Sequence, residues 1–197
     1  MTGAGDATRK RIVEAAIETL KEEGFAGTSA RAVAKRGGFN QALVFYHFGA
    51  MSELLLAALD ETSERRMARY REALEGVNDL GRLVELAGRI YREDLDAGHM
   101  TVLAEIIAGA SAVPEVGPEV VARLEPWIEL TSDALARFLD GSPLGALVPR
   151  DDVAYAVVAL YLGLELLTHL QGDRSRADAL FAAAGQIGAP FLGGTTR

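Results

Sequence analysis

Two consecutive glycines, Gly37 and Gly38, constrain this chain more than any other feature, because the residues on both sides of them read as helix. Upstream, Thr28 or Ser29 can cap a short helix, since a small hydroxyl side chain accepts a hydrogen bond from the free N–H groups of an opening turn. Val33 and Ala34 supply its buried side. The helix must stop at the glycines, where positive φ carries no steric cost. Asn40 reads as the N-cap of the next helix, in which Val44 and Phe48 recur at i and i+4 and share one face. Ala34 lies four residues before Gly38 and Val44 six after it. That is the spacing of a helix-turn-helix, in which a small residue lets the helices approach, glycine makes the corner and an aliphatic residue packs back. The second helix of such a motif is free to enter a DNA major groove. Two abutting helices in an ordinary bundle turn the same corner, so the turn alone leaves both readings open.

The wording around the turn separates them. The stretch GGFNQALVFYHFGAMSELLLAAL resembles the end of the DNA-binding domain of the TetR (tetracycline repressor) family of transcriptional regulators. The residues that carry the resemblance are Ala34, Gly38, Phe39, Asn40, Phe45, Tyr46, His47, Phe48, Glu53 and Leu54, and it covers roughly residues 8 to 58. It implies base-reading positions at Arg31, Gln41, Ala42 and Leu43. Arg31 suits a guanine edge, Gln41 an adenine edge and Leu43 a thymine methyl. It also implies phosphate contacts from Ser29, Tyr46 and His47, which fix register without reading sequence. Two residues depart from the family pattern: Phe45 stands for the usual tyrosine and Met51 for the usual lysine. Neither can serve a phosphate, so backbone binding and its salt dependence should be weaker. A helical ligand-binding or scaffold protein that has lost DNA affinity is therefore the competing reading.

Charge is distributed in keeping with a protein that meets phosphates at one end. The net charge is −8, yet Met1 to Gly49 holds seven Lys and Arg against five Asp and Glu, leaving the remainder at −10. A mildly basic head on an acidic body is expected. The chain has 197 residues, 49% of them hydrophobic, enough for a fold with a real core. The absence of cysteine excludes disulfide scaffolds, thiolate metal sites and cysteine nucleophiles. His47, His99 and His169 are far apart, and no HExxH, P-loop or GxSxG pattern occurs, so neither an enzyme nor a metal or cofactor is expected. No signal peptide is expected at residues 1–8, and the apolar run Val153 to Leu164 is too short for a bilayer before Glu165 interrupts it. A cytoplasmic protein without a membrane segment follows as the expectation.

Nearly all of the chain reads as helix, which predicts an all-α fold. A three-helix head is expected over residues 1–50 and a larger helical ligand-binding and dimerisation body over 51–197. An amphipathic helix from about Ala7 to Glu23, with Ile12, Val13, Ala16, Ile17 and Leu20 on one side, ends at Gly24 and braces the motif. Arg9, Lys10 and Arg11 at its start can reach a phosphate backbone. Further helices are predicted over Ser52–Leu74, joining head to body without a flexible linker, over Leu80–Leu95, and over His99–Ala110. Ser111 to Pro118 reads as a loop that ends with Pro118 in the first turn of a helix running to Leu139. Pro126 should kink or split that helix. Gly141 to Pro149 reads as another loop, Asp151 or Asp152 as a cap for a helix to Leu170, and Arg174 to Gln186 as the last helix.

The resemblance also implies a small-molecule pocket in the body. Tyr91, His99, Met100, Glu105 and Trp127 are polar or aromatic residues within apolar runs, the mixture that lines such cavities. The penultimate helix is apolar on more than one stripe, which predicts contact with a second subunit through Val157, Tyr161, Leu164, Glu165 and Thr168, with Leu180 and Phe181 of the last helix. Glu165 and His169 stand four apart and can pair there. The sequence thus predicts a homodimeric regulator that takes a DNA operator and a small-molecule effector as partners.

Overall fold

The structure is a computed structural model that describes residues 3–110, 116–140, 142–143 and 145–191, with no account of the side chains of 3, 4, 100, 108–110 and 187–191. The described residues form ten helices and no strand: α1 (Gly3–Gly27), α2 (Ala30–Gly37), α3 (Ala42–Phe48), α4 (Met51–Leu74), α5 (Leu80–Asp96), α6 (His99–Ala110), α7 (Val116–Ala122), α8 (Glu125–Leu139), α9 (Arg150–Gln171) and α10 (Ser175–Phe191). They divide into two compact units, Met1–Arg65 with Gly98–Arg123, and Arg66–Ala97 with Leu124–Arg197. The first unit thus takes in α6 and α7 besides the head expected from the sequence.

In the first unit α1 lays Ile12, Val13, Ala16, Ile17 and Leu20 into a core completed by Val33, Ala34, Val44, Leu54, Ala58, Val102 and Ile106, all buried. The regular part of α1 ends at Gly24, whose φ of 68° breaks the helix. The freed amide of Phe25 donates to Glu105 Oε2 on α6 at 2.6 Å. Ser29, not Thr28, caps α2, its hydroxyl accepting the Ala32 amide. Gly38 terminates α2 in the left-handed region at φ 65°. The expected Asn40 cap is displaced by one residue: Gln41 occupies the N-cap position with helical φ/ψ, and Asn40 Oδ1 reaches over it to the Ala42 amide at 2.9 Å. Asparagine side chains commonly serve an amide two residues on, so the orphan donor is satisfied either way.

In the second unit α5 packs on α10 and α8 on α9. Gly88 lets α10 come close, since a Cβ there would lie 3.2 Å from Phe181. Arg92 to Asp178 at 3.1 Å and Arg174 to Asp96 at 3.0 Å rim that contact. Pro126 falls in the first turn of α8, where its missing N–H deprives no carbonyl, and α7 and α8 are separate helices. The expected aspartate cap of α9 is not made. Pro149 holds the N-cap position, Asp151 and Asp152 lie in the first turn, and Asp151 accepts the Ser132 hydroxyl of α8 at 2.7 Å. Carboxylates there still favour the helix through its dipole. By length and composition alone α9 is long and apolar enough to cross a membrane, with Glu165 within it. That carboxyl is turned into the unit.

Candidate nucleic-acid interface

The seven residues of α3 divide cleanly into an anchored and an open side. Val44 and Phe48 are buried, whereas Gln41, Ala42, Phe45 and Tyr46 are exposed, Tyr46 to 81% and Phe45 to 50%. Two aromatic rings held in solvent on one short helix are costly unless something covers them, as burying such a ring contributes about 2 kcal/mol. Leu43 and His47 are half-buried at the edges of the open side, and Tyr46 stands edge-on to His47 with ring centres 5.1 Å apart. The neighbouring α2 presents Ser29 and Arg31 to solvent.

The basic residues of this unit fall into two groups. Arg11 donates to the Gly37 carbonyl at 2.9 Å and lies over the Phe39 ring, so it fastens α1 to the glycine turn. Arg9 stacks over Phe48 at 4.9 Å. Arg36 returns to Glu22 and Glu23 of α1. By contrast, Lys10, Arg31 and Lys35 are exposed and make no ion pair among the described residues. Of the three basic residues at the start of α1, Arg9 and Arg11 thus also help to hold the motif together, and Lys10 makes no ion pair among the described residues. The sequence reading missed Lys35, whose only signal was its place four residues after Arg31 on the outer side of α2.

The five residues expected to line a ligand pocket do not gather in one place. Glu105 and His99 belong to the first unit, Glu105 spending its carboxylate on Phe25, and the side chain of Met100 lies outside the described residues. Tyr91 and Trp127 belong to the second unit. Tyr91 is fully buried, with its hydroxyl 2.5 Å from Thr168 Oγ1 and 3.2 Å from the Leu164 carbonyl and its ring between those of Tyr161 and Phe181. Trp127 lies under the Arg66 guanidinium at 4.8 Å and beside Tyr70. A shallow hollow of about 190 Å³ on this unit, lined by Arg71, Leu74, Val77, Leu83, Leu130 and Arg137, contains none of the five.

What connects Tyr91 to Trp127 is a buried polar cluster centred on Asp94, which is 0% exposed. Arg66 donates to both carboxylate oxygens, through Nε at 3.1 Å and through Nη2. The hydroxyls of Tyr70 and, at 2.9 Å, Tyr161 donate as well. Glu165 is 1% exposed in the same cluster. Burial pushes its carboxyl up to about 8, against the pull of Arg66, with Asp94 adding to the rise. Burial also raises the Tyr70 hydroxyl to about 12 and drives that of Tyr161 well above its ordinary value. Burial opposes the charge on Arg66, but Asp94 and Glu165 hold it above its ordinary value. Asp94 was legible as the one acidic residue on the apolar stripe of α5, three after Tyr91 and four after Ile90, and was missed.

Of the residues expected at a subunit seam, Val157 and Leu180 are exposed, and Leu164 is half-buried. Tyr161, Thr168 and Phe181 are half-buried and turned to Asp94 and Tyr91. Glu165 cannot lie at a seam, being buried within its own chain, and the exposed His169 is not its partner. A helix of period 3.6 carries Tyr161, Glu165 and Thr168 on one side, so the same spacing that was read as facing outward faces inward. The outer side of α9 exposes Tyr155, Val157, Leu160, Leu166, Leu167 and Leu170.

Comparison with known proteins bears on both units. Residues 12–58 match the family model described as bacterial regulatory proteins, tetR family. The HTH-type transcriptional regulator UidR of Escherichia coli is 27% identical over 177 residues, 89% of this chain and 87% of that protein. Among solved structures, the multidrug binding protein EbrR complexed with imidazole is 26% identical with a TM-score of 0.62, over 89% of this chain and 93% of that one. The fatty acid degradation regulator FadR from Bacillus halodurans has a TM-score of 0.76 at 14% identity, covering 95% of this chain and 97% of that one, and shares the fold.

Proposed function

We propose that this chain, which belongs to the tetR family of bacterial regulatory proteins and is a transcriptional regulator, represses its target by binding a near-palindromic operator as a homodimer and is released by a small-molecule effector. The observation that carries the DNA half of this reading is the open side of α3. Its inner residues Val44 and Phe48 are locked in the core, and its outer residues are exposed, with Arg31 and Lys35 of α2 exposed beside them and in no ion pair among the described residues. Residues 1–50 act as the DNA-binding head and 51–197 as the ligand-binding and dimerisation body. Arg31, Gln41, Ala42 and Leu43 read base edges, while Ser29, Tyr46 and His47 hold phosphates.

Two-fold symmetry in the protein demands it in the operator, with half-site centres about 34 Å apart or a multiple of that. The apolar outer side of α9 with Leu180 of α10 supports the dimer. An effector in the body releases DNA by favouring a spacing of the two heads that does not match the operator, which requires that it bind the two states unequally. The multidrug binding stated for EbrR supports an organic effector. As a regulator of genes the protein works in the cytoplasm.

The experiment is a titration of the full-length protein with operator selected from a random DNA pool and with random-sequence DNA, at several salt concentrations. Arg31→Ala should lower the ratio of specific to random affinity by roughly tenfold, the worth of a bidentate base contact of about 1–3 kcal/mol. His47→Ala should weaken both alike and flatten the salt dependence. Wild-type protein that binds no DNA at low salt would leave the helical ligand-binding or scaffold reading in its place.

A further inference from the structure

We propose that Glu165 is a proton-uptake site: the buried cluster it shares with Arg66 and Asp94 holds two carboxyl groups against one guanidinium, so the chain takes a proton onto Glu165 as it folds, and the packing of α9 weakens as pH rises. This rests on the second unit alone and stands or falls apart from the DNA reading.

The charge count is the first support. Arg66 on α4 commits two nitrogens to Asp94 on α5, and that carboxylate also receives Tyr70 from α4 and Tyr161 from α9. The other nearby cation, Arg69, stands half in solvent with Glu93 at 3.5 Å and reaches Asp94 only at 3.9 Å. From α5, Tyr91 faces the same interior, but its hydroxyl is engaged with Thr168 and Leu164. Just before α10, Arg174 is drawn off by Asp96 and Asp178, and Asp178 of α10 itself pairs with Arg92. On α8, Glu125, Glu129 and Asp133 are exposed, and the exposed Arg137 donates to the Val77 carbonyl at 2.6 Å. Among the described residues no further cation is left to neutralise a second buried carboxylate, and an uncompensated charge in such a site protonates instead.

Hydrogen bonding is the second support. Oε1 of Glu165 is buried without a hydrogen-bond partner, which an ionised oxygen tolerates poorly. Tyr161, one turn before Glu165 on α9, would favour an ionised Glu165 by donating to it. Tyr161 has a single proton, and it points to Asp94 at 2.9 Å. A protonated Glu165 completes the chain by donating to the Tyr161 oxygen, which donates to Asp94, so every proton has an acceptor. Burial raising the Glu165 carboxyl to about 8 agrees with this arrangement.

The sign follows directly. The ordinary carboxyl value is 4.5 and the folded one is higher, so between them the folded chain binds one more proton than the unfolded chain. The stabilising contribution is complete below about 4.5 and is lost as pH rises through about 8. The test is urea unfolding of full-length wild type and Glu165→Gln from pH 5 to 9, at one protein concentration. The folding constant of the variant divided by that of wild type should rise by up to tenfold per pH unit between about 5 and 8 and then level off. A ratio independent of pH overturns the proposal. Carboxyl-carbon NMR of glutamate-labelled wild type requires no variant. One glutamate titrating above pH 7 is expected, and ordinary titration of every glutamate overturns it.

Discussion

Replacing Asp94 with leucine removes the single acceptor on which four donor groups of the second unit converge, while keeping the branched outline of the side chain. Arg66 is then left buried with its guanidinium facing two tyrosine hydroxyls that have also lost their partner. Breaking a buried ion pair from one side costs about 3–5 kcal/mol when the charge is left uncompensated, and Glu165, freed of Asp94, offsets part of this by ionising beside Arg66. The tyrosines add less than their separate values, since they can turn toward each other or to water. Against a total stability of about 5–15 kcal/mol this is a large fraction, and for a chain of this size it corresponds to a fall in Tm of roughly 10 °C. The companion variant carries Arg66→Met with Asp94→Leu. With the stranded cation gone, most of the loss should return, because hydrophobic replacements of similar volume are neutral or stabilising when a buried pair is removed whole. In the double variant Glu165, without Arg66, holds its proton more firmly and remains neutral at pH 7. Urea unfolding followed by circular dichroism at pH 7 and fixed protein concentration measures both. A loss below about 1 kcal/mol in the single variant, or no recovery in the double, would refute the view of Asp94 as a buried charged hub.

Other substitutions test separate parts of the structure. Glu165→Gln should stabilise the protein at pH 7 by up to about 3 kcal/mol, from the gap between 4.5 and about 8 at that pH, and leave it unchanged at pH 4; equal effects at both values would contradict this. Gly38→Ala should cost about 1 kcal/mol through its φ of 65° alone, because an added Cβ meets nothing within 4 Å. Gly37→Ala would thrust a Cβ to 2.1 Å from the Phe39 ring and should also disturb the Arg11 stack, so operator affinity falls more in that variant. Leu160→Glu with Leu167→Glu, both exposed in the single chain, should leave helix content intact and yield a monomer in analytical ultracentrifugation. A stable dimer in that variant would place the subunit contact elsewhere.

Element positions were largely legible, because glycine and proline mark them by backbone chemistry that tertiary structure seldom overrides. Gly24, Gly38 and Gly98 each take positive φ at a helix boundary, and Pro126 sits at the head of α8. The open side of α3 was legible for a similar reason: two buried anchors at i and i+4 determine which residues face away. Caps were less so. Asn40 and the aspartates of α9 were each misjudged by a position or two, where several short polar side chains compete for the same amides. Least legible was the direction of polar residues inside apolar helices. Glu165 and Tyr161 read as seam residues and Glu105 as a pocket residue, because periodicity assigns side chains to a stripe and does not say what each stripe meets. The partner of Glu105, the Phe25 amide, comes from a distant part of the chain.

The bond between the Phe25 amide and Glu105 joins residues 80 positions apart. Synthesis proceeds at about 5–20 residues per second, so roughly 4–16 seconds separate the appearance of the two. During that interval the first three helices exist as a nascent chain whose broken turn at Gly24 has only water to satisfy it. The junction between α1 and α2 therefore reaches its final form only when α6 arrives to close it.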